Sequence, residues 1–338
     1  MSEPRFLVVR LGSLGDIVHT FPAVAALRET FSSAQIVWLT HPRWSALIES
    51  SGLAAEIWET ETRSYNSIRE VIGKIKKARF TTAIDYQGLW KSAALPFLAR
   101  VPRRIGFSSQ TIREFGVPIL YTERVASTAA HIAGQNGELS RHAGARNGVG
   151  PFALAVSSIQ EAFVLQLLRG HSVSRYVVLS PAGGWRSKCW PPERYGALCQ
   201  KILGDLGMRC VLNYGPGEEE CAAVVKAASG DAKPIAYNGS LGQLMPLLRH
   251  AVCIVGGDTG PLHLAVALGT PVVALFGPTD PARNGPYRTA ATPGNDLVLR
   301  SPNAITTYKR GDRPDPSMLD IEVETVFDAV RRQVEARP

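Results

Sequence analysis

The stretch Gly256–Gly277, GGDTGPLHLAVALGTPVVALFG, decides how this chain folds. Val252–Val255 supplies a short apolar strand ahead of it, Leu262–Leu268 is a helix apolar on every side, and Pro271–Phe276 is the next strand. The order strand, glycine turn, helix, strand is a parallel β-α-β unit. Gly256, Gly257 and Gly260 strip side chains from the turn, so Asp258, Thr259 and backbone N–H groups can approach a ligand closely. Glycines alone also serve tight β-to-α connections. Asp258 and His263 are ionisable groups in an otherwise apolar run and need partners there. His263 reads equally as a satisfied core histidine or a ligand contact.

The same alternation extends in both directions. Before residue 170, apolar runs at Phe6–Val9, Ile36–Leu39, Glu56–Trp58 and Thr82–Ile84 alternate with helical patterns at Ile17–Phe31, Arg43–Ser50, Ser67–Ala78 and Leu89–Leu98. Beyond it, strands are expected at Tyr176–Leu179, Arg209–Asn213, Pro234–Tyr237, Cys253–Val255 and Val272–Phe276. The expected fold class is α/β, two Rossmann-like doubly wound domains facing one cleft. Their boundary falls in Leu168–Ser174, giving an N-terminal domain at 1–170, a C-terminal domain at 171–316 and a terminal helical segment at 317–338 that packs back across the junction. Asn136–Phe152, rich in glycine and ending near Pro151, reads as a mobile loop.

With 338 residues, 45% of them hydrophobic, the chain can bury more than one core. No apolar run reaches the about eighteen residues of a membrane span, and the N-terminus carries Glu3 and only a strand-length apolar segment, so neither span nor signal peptide is expected. Five cysteines, none in a C-x-x-C pair, read as reduced thiols without a zinc site. The net charge of +8 calls for an anionic partner. Bases concentrate in the first half: between Val71 and Arg113 stand Lys74, Lys76, Lys77, Arg79, Lys91, Arg100, Arg103, Arg104 and Arg113, against Asp85 alone. Lys74, Lys76 and Lys77 suit a solvated helix face. Arg100, Arg103 and Arg104, beside Pro102, suit a functional connecting segment.

Ligands of open α/β sheets bind beyond the carboxyl ends of the strands. The first-half loop there is Arg10–Pro22, RLGSLGDIVHTFP. Its G-x-x-G spacing is not the dinucleotide fingerprint, and Asp16 would repel a pyrophosphate. Asp16 reads as a helix cap or as a fixed carboxylate general base. In the second half, Ser180–Pro191, SPAGGWRSKCWP, joins the loop at Gly256. Its open glycine turn and the mobile charge of Lys188 suit a phosphate, with Arg186 assisting, although both bases also read as ordinary exposed ones. Trp185 and Trp190 suit a helix contact or a planar ligand. Tyr214–Glu219 is placed to meet a nucleoside, with Glu218 on ribose hydroxyls, or else Glu218, Glu219 and Glu220 simply open a helix.

Taken together, Arg10–Pro22, the K-x-W-P segment within Ser187–Pro191 and the D-T-G-x-x-H segment within Gly257–His263 resemble the family nine glycosyltransferases, the lipopolysaccharide heptosyltransferases of GT-B architecture. The match spans most of the chain. Ile84–Ala93 and Arg113–His131 are most similar to the heptosyltransferase I branch. The resemblance implies inverting transfer from ADP-L-glycero-β-D-manno-heptose to Kdo of the inner core, with no obligatory cofactor or metal. It implies Asp16 as base and Lys188, Asp258, Thr259, Gly260, His263, Ser180 and Glu218 on the donor side. Gly15, Arg63, Lys91, Arg113 and His131 are the acceptor candidates, facing Kdo carboxylates and lipid A phosphates. The expected location is cytoplasmic, peripheral to the inner membrane. Gly215–Glu218 departs from the family's ribose contact, and Tyr86 and Trp90 replace smaller residues, which alters the expected acceptor fit. A nicotinamide-dependent oxidoreductase lacks its fingerprint here, and a basic nucleic-acid binder lacks interleaved aromatics.

Overall fold

The computed structural model describes residues 4–112 and 114–337. Contacts divide the chain into two compact units, Met1–Ala155 with Thr289–Ala291, and Val156–Arg288 with Thr292–Pro338.

The first unit runs β1 (Arg5–Val9), α1 (Leu14–Val18), α2 (Phe21–Thr30), β2 (Gln35–Thr40), α3 (Ser45–Ser51), β3 (Glu56–Glu59), α4 (Tyr65–Ala78), β4 (Thr82–Asp85), α5 (Trp90–Leu98), β5 (Arg103–Phe107), β6 (Glu123–Val125) and α6 (Ile132–His142). Its sheet has the order β3-β2-β1-β4-β5-β6, with every pairing parallel. The direction of winding reverses between β1 and β4, which leaves a crevice beyond Val9 and Asp85.

The second unit runs α7 (Ser158–Gly170), β7 (Tyr176–Ser180), α8 (Pro192–Leu206), β8 (Arg209–Asn213), α9 (Glu219–Ala228), β9 (Ile235–Tyr237), α10 (Leu241–His250), β10 (Cys253–Gly257), α11 (Gly260–Ala267), β11 (Val272–Phe276), α12 (Pro281–Asn284), β12 (Leu297–Arg300), α13 (Pro316–Leu319) and α14 (Val323–Glu335). Its sheet order β12-β11-β10-β7-β8-β9 is the same winding, all parallel, and it reverses between β7 and β10. Strands β7, β10 and β11 are buried along their whole length, as strands covered by helices on both faces must be. Their uninterrupted apolar runs are what made them legible in the sequence.

Several expectations are corrected. The unit boundary lies between Ala155 and Val156, ahead of the expected 168–174, and α7 packs on α10 inside the second unit. The last residues likewise belong to that unit: α14 lies on α8 and seats Val326, Phe327 and Val330 in its core. The helix expected over Ile17–Phe31 is two, α1 and α2, because Pro22 sits in the first turn of α2, where its missing N–H is tolerated. Arg103 and Arg104 lie on strand β5, not in a connection. Arg103 pairs with Glu123 at 2.7 Å, and the Arg104 Nε donates to the Leu120 carbonyl at 2.8 Å.

Asn136–Phe152 is not one loop, since Asn136–His142 is the C-terminal part of α6. The Asn136 amide donates to the His19 carbonyl at 3.0 Å, and the Ser140 hydroxyl to the Ala23 carbonyl at 2.7 Å. Gly137 is there for close approach, because a Cβ would lie 2.6 Å from the Gly148 carbonyl oxygen. A glycine used for packing was read as a loop signal. Strands β5, β6 and β12 are hard to read from sequence because they are short and charged residues cut into their apolar runs, Arg103 and Arg104 in β5, Glu123 and Arg124 in β6 and Arg300 in β12.

Candidate active site

In the first unit the loop after β1 and the loop after β4 are stitched together at the sheet's reversal point. The Tyr86 N–H donates to the Val9 carbonyl at 3.1 Å, and the Leu11 N–H to Gln87 Oε1 at 2.8 Å. Arg10 leaves β1 with its side chain only 5% exposed, and its guanidinium donates to the Tyr86 carbonyl and to Asp16 Oδ1, the latter at 2.7 Å. The other Asp16 oxygen accepts from the backbone N–H and hydroxyl of Ser13, at 3.1 and 3.0 Å. Asp16 thus closes the first turn of α1 as a capping residue, and its side chain remains 43% exposed. Capping and an outward-facing carboxylate coexist at this position. A carboxylate gripped on both oxygens is fixed in orientation, which proton abstraction requires.

The loop after β4 is itself anchored from below. Asp85, fully buried, accepts from the Tyr121 hydroxyl at 2.7 Å, the Ser92 hydroxyl at 2.9 Å and the backbone N–H groups of Gln87 and Gly88. Burial pushes its carboxyl upward from the ordinary range, and these hydrogen bonds pull against that rise. Tyr86 is also buried, its hydroxyl 2.7 Å from Ser140, and packs as a core residue.

The remaining first-unit candidates are spread along the chain. Gly15 is buried in α1 beside Asp16, Arg63 is exposed in the turn before α4, and Lys91 is exposed in the first turn of α5. His131 caps α6 by accepting the Ala133 N–H at 3.1 Å and meets His19 edge to face at 5.2 Å. Arg113 lies outside the described residues.

In the second unit the loops after β7 and β10 meet at the corresponding reversal point. Lys188 and Asp258, seventy residues apart, come together there: the ammonium donates to the Asp258 carbonyl oxygen and lies 3.4 Å from Oδ2. Asp258 Oδ1 takes His263 Nε2 at 3.0 Å, and Asn284 Nδ2 reaches Oδ2 at 3.4 Å. Burial pushes the Asp258 carboxyl up, but the His263 hydrogen bond and the Lys188 charge outweigh it and hold the group well below the usual carboxylate range. The Lys188 ammonium also lies 5.1 Å from the Trp185 ring centroid, with its side chain 14% exposed. It is therefore a tethered charge rather than the mobile one expected. Arg186, 73% exposed and 3.9 Å from Glu220, is an ordinary surface base.

Thr259 opens α11, a helix buried on all sides, and Gly260 is its first residue. The Thr259 hydroxyl is buried and has no hydrogen-bond partner among the described residues. Free N–H groups, the positive end of a buried helix, an unpaired hydroxyl and an adjacent lysine are together chemically suited to an anion. Gly183, in the loop from Ser180, keeps the site open: a Cβ there would lie 3.0 Å from the Thr259 methyl. Ser180 ends β7 beneath this loop.

Trp190 is fully buried, donating to the Ile321 carbonyl at 2.8 Å, and is a packing residue. Trp185 is half-buried, with Arg310 5.4 Å from its ring. Glu218 accepts the Gly215 N–H at 2.7 Å and stands at the start of α9, with Glu219 and Glu220 in its first turn. The acidic run therefore opens a helix. Sequence reasoning did not single out Arg10, Asn284 or Arg310, which lie against Asp16, Asp258 and Trp185. Only Arg10 carried a signal, a base directly after a strand and six residues before a carboxylate.

Among the described residues, no group of three His, Cys, Asp or Glu side chains is arranged to hold a metal ion, and no helix is long and apolar enough to cross a membrane.

The sequence profile of Glycosyltransferase family 9 (heptosyltransferase) matches residues 68–296. The chain is 29% identical over 335 residues to a lipopolysaccharide heptosyltransferase 1 of Escherichia coli O18:K1:H7, covering 93% of this chain and 100% of that protein. It superposes on the E. coli heptosyltransferase WaaC with ADP-2-deoxy-2-fluoro heptose at a TM-score of 0.71, with 25% identity, 97% of this chain and 99% of that one covered. A glycosyl transferase family 9 structure from Veillonella parvula, 19% identical, shares the fold at a TM-score of 0.82 over 99% of each chain.

Proposed function

We propose, from the premise that the chain belongs to glycosyltransferase family 9, that it transfers L-glycero-D-manno-heptose from ADP-L-glycero-β-D-manno-heptose to Kdo of the lipopolysaccharide inner core, with inversion. The observation that carries the reading is the cluster of Lys188, Asp258, His263 and Thr259 at the N-terminus of α11. It suits a nucleoside diphosphate whose charge grows as it departs. Helix N–H groups and a lysine fixed in place stabilise that charge without reorganising, which is where electrostatic catalysis is strongest. The heptosyltransferase names of the relatives support the sugar.

In this mechanism the Asp16 carboxylate takes the proton of the acceptor hydroxyl. The acceptor oxygen forms its bond to the anomeric carbon from the face opposite the diphosphate. The bond from that carbon to the β-phosphate oxygen breaks, ADP leaves with the electron pair, and the configuration inverts. Lys188, Thr259 and the Gly260 N–H meet the diphosphate. Asp258, saturated by internal hydrogen bonds, orients Lys188 and His263. Ser180 and Glu218 complete the donor side, the latter toward ribose. Gly15, Arg63, Lys91, Arg113 and His131 serve the acceptor, whose carboxylates and phosphates match their charge. The enzyme works in the cytoplasm at the inner face of the inner membrane.

Incubation with ADP-heptose and Kdo2-lipid A, with ADP-glucose and UDP-sugars as competing donors, tests the reading by mass. A product heavier by one heptose supports it. A product from another donor, or transfer only to an acceptor that already bears heptose, replaces the substrate while retaining the family.

A further inference from the structure

The first unit exposes large apolar side chains in one neighbourhood. Trp90, Phe97 and Leu98 on α5 are 46%, 41% and 55% exposed, and Phe115 and Ile119 in the following segment are 97% and 70% exposed. Positions 90, 97 and 98 follow the i, i+7, i+8 spacing of one helix face. The two segments touch: a Cβ on Gly116 would lie 3.0 Å from the Trp90 ring, and the Trp90 N–H donates to Glu114 at 2.7 Å. Two-turn spacing on a helix and a neighbouring loop tip therefore place these side chains on one continuous face. Singly exposed apolar residues are unremarkable, but a cluster of aromatics is not.

Cations border the same face. The Arg104 guanidinium lies 5.5 Å from the Phe97 ring, and the Arg124 Nε donates to the Pro118 carbonyl at 2.9 Å, next to Ile119. Lys91 follows Trp90 directly, and the Arg100 N–H donates to the Phe97 carbonyl at 2.9 Å. None of these four bases has an ion-pair partner among the described residues. Of the nearby acids, Glu123 is paired with Arg103 and His142, and Glu114, which accepts the Trp90 N–H, keeps its charge, so the bases outnumber the acids on this face.

We propose that this face, α5 together with the 114–120 segment, docks on an anionic lipid bilayer. Phe115 and Ile119 enter the boundary between headgroups and acyl chains, Trp90 lies at headgroup depth, and Lys91, Arg100, Arg104 and Arg124 meet lipid phosphates. An apolar protein partner would be matched by the aromatics but not by the excess of cations around them. A nucleic acid would be matched by the cations but would leave Phe115 and Ile119 in water. A bilayer with anionic headgroups matches both. The proposal rests on the membrane-side location given under Proposed function and adds the surface that makes the contact; its vesicle test needs no acceptor, so the surface can fail while the transferase reading stands.

Co-sedimentation of the full chain with phosphatidylcholine vesicles, with and without phosphatidylglycerol, tests it. Binding is expected to require phosphatidylglycerol and to weaken as salt rises, because screening shortens the reach of exposed charges. The double change Phe115→Ser and Ile119→Ser should lower the vesicle partition by about tenfold or more. Ile159→Ser, at another exposed apolar position on α7, should leave it unchanged. Turnover of a lipid-free acceptor by the double variant reports that the fold is intact. Equal binding by the double variant, or equal binding to vesicles without phosphatidylglycerol, overturns the proposal. So does a solution dimer that the double change dissolves, since the face would then belong to a second copy. Should the double variant fail to fold, the lipid and salt dependence of the unaltered chain decides.

Discussion

The guanidinium of Arg10 and the carboxylate of Asp16 meet at 2.7 Å, the arginine 5% exposed and the aspartate 43% exposed. A charge held inside the fold presents its partner at the surface. Because Arg10 also donates to the Tyr86 carbonyl, the carboxylate is referenced to both β1 and the loop after β4. Arg10 is thus a positioning residue for Asp16. Arg10→Gln should lower kcat by roughly 10²-fold, the effect of misplacing a reacting group by about 1 Å, while ADP affinity stays unchanged. Arg10→Lys should recover part of the loss, because a cation returns without the fork. Equal loss in both variants, with a lowered melting temperature, would reduce Arg10 to a stability residue.

Asp16→Asn keeps the capping geometry with Ser13 but removes the base. Turnover should fall by about 10²- to 10⁴-fold, the range for losing a general base, with ADP binding intact by calorimetry. Near-normal turnover would take the base assignment away from Asp16.

Lys188→Ala removes the charge beside the α11 N-terminus. A charge-assisted hydrogen bond contributes about 1.5–3 kcal/mol, so ADP should bind roughly 10- to 150-fold more weakly. Calorimetric titration with ADP measures this directly, and unchanged affinity would remove Lys188 from the diphosphate site.

The Asp258 carboxyl is held below its ordinary range in the folded chain. The unfolded chain therefore takes up this proton first, and the stabilisation present at neutral pH begins to fade as pH drops through about 3.9. It is fully lost only below the depressed folded value. Asp258→Asn should cost about 3 kcal/mol near pH 7, since Lys188 is left buried without its counter-charge. In urea melts the gap between the two proteins should narrow toward pH 3. A gap constant from pH 7 to pH 3 would contradict the ionic role.

Asp85 receives four donors, two hydroxyls and two backbone N–H groups. Asp85→Asn turns one acceptor oxygen into a donor facing donors. A loss of about 1–3 kcal/mol is expected from the groups left unsatisfied. Denaturant titration of the variant checks it, and an unchanged midpoint would mean the network rearranges freely.

The sequence by itself determined the alternation of strands and helices and the two loops that carry Asp16 and Asp258. Apolar periodicity and glycine placement are local properties, set by backbone geometry over a few residues, and Val252–Phe276 could be read from them directly. It also singled out Gly256–Gly260 as the turn between an apolar strand and an apolar helix, the place where the proposed diphosphate contact is made. Tertiary structure alone decided what each charge does. Lys188 finds Asp258 because β7 and β10 are neighbours in the sheet, and Arg10 finds the Tyr86 carbonyl because β4 lies beside β1. Strand order, not spacing along the chain, brings those partners within hydrogen-bonding distance. The same holds for Arg103 and Arg104, absorbed into β5, and for Gly137, where a missing side chain serves contact and not a turn. A lysine or glycine looks the same in sequence whether it faces solvent, a carboxylate or a neighbouring backbone, and only packing distinguishes them.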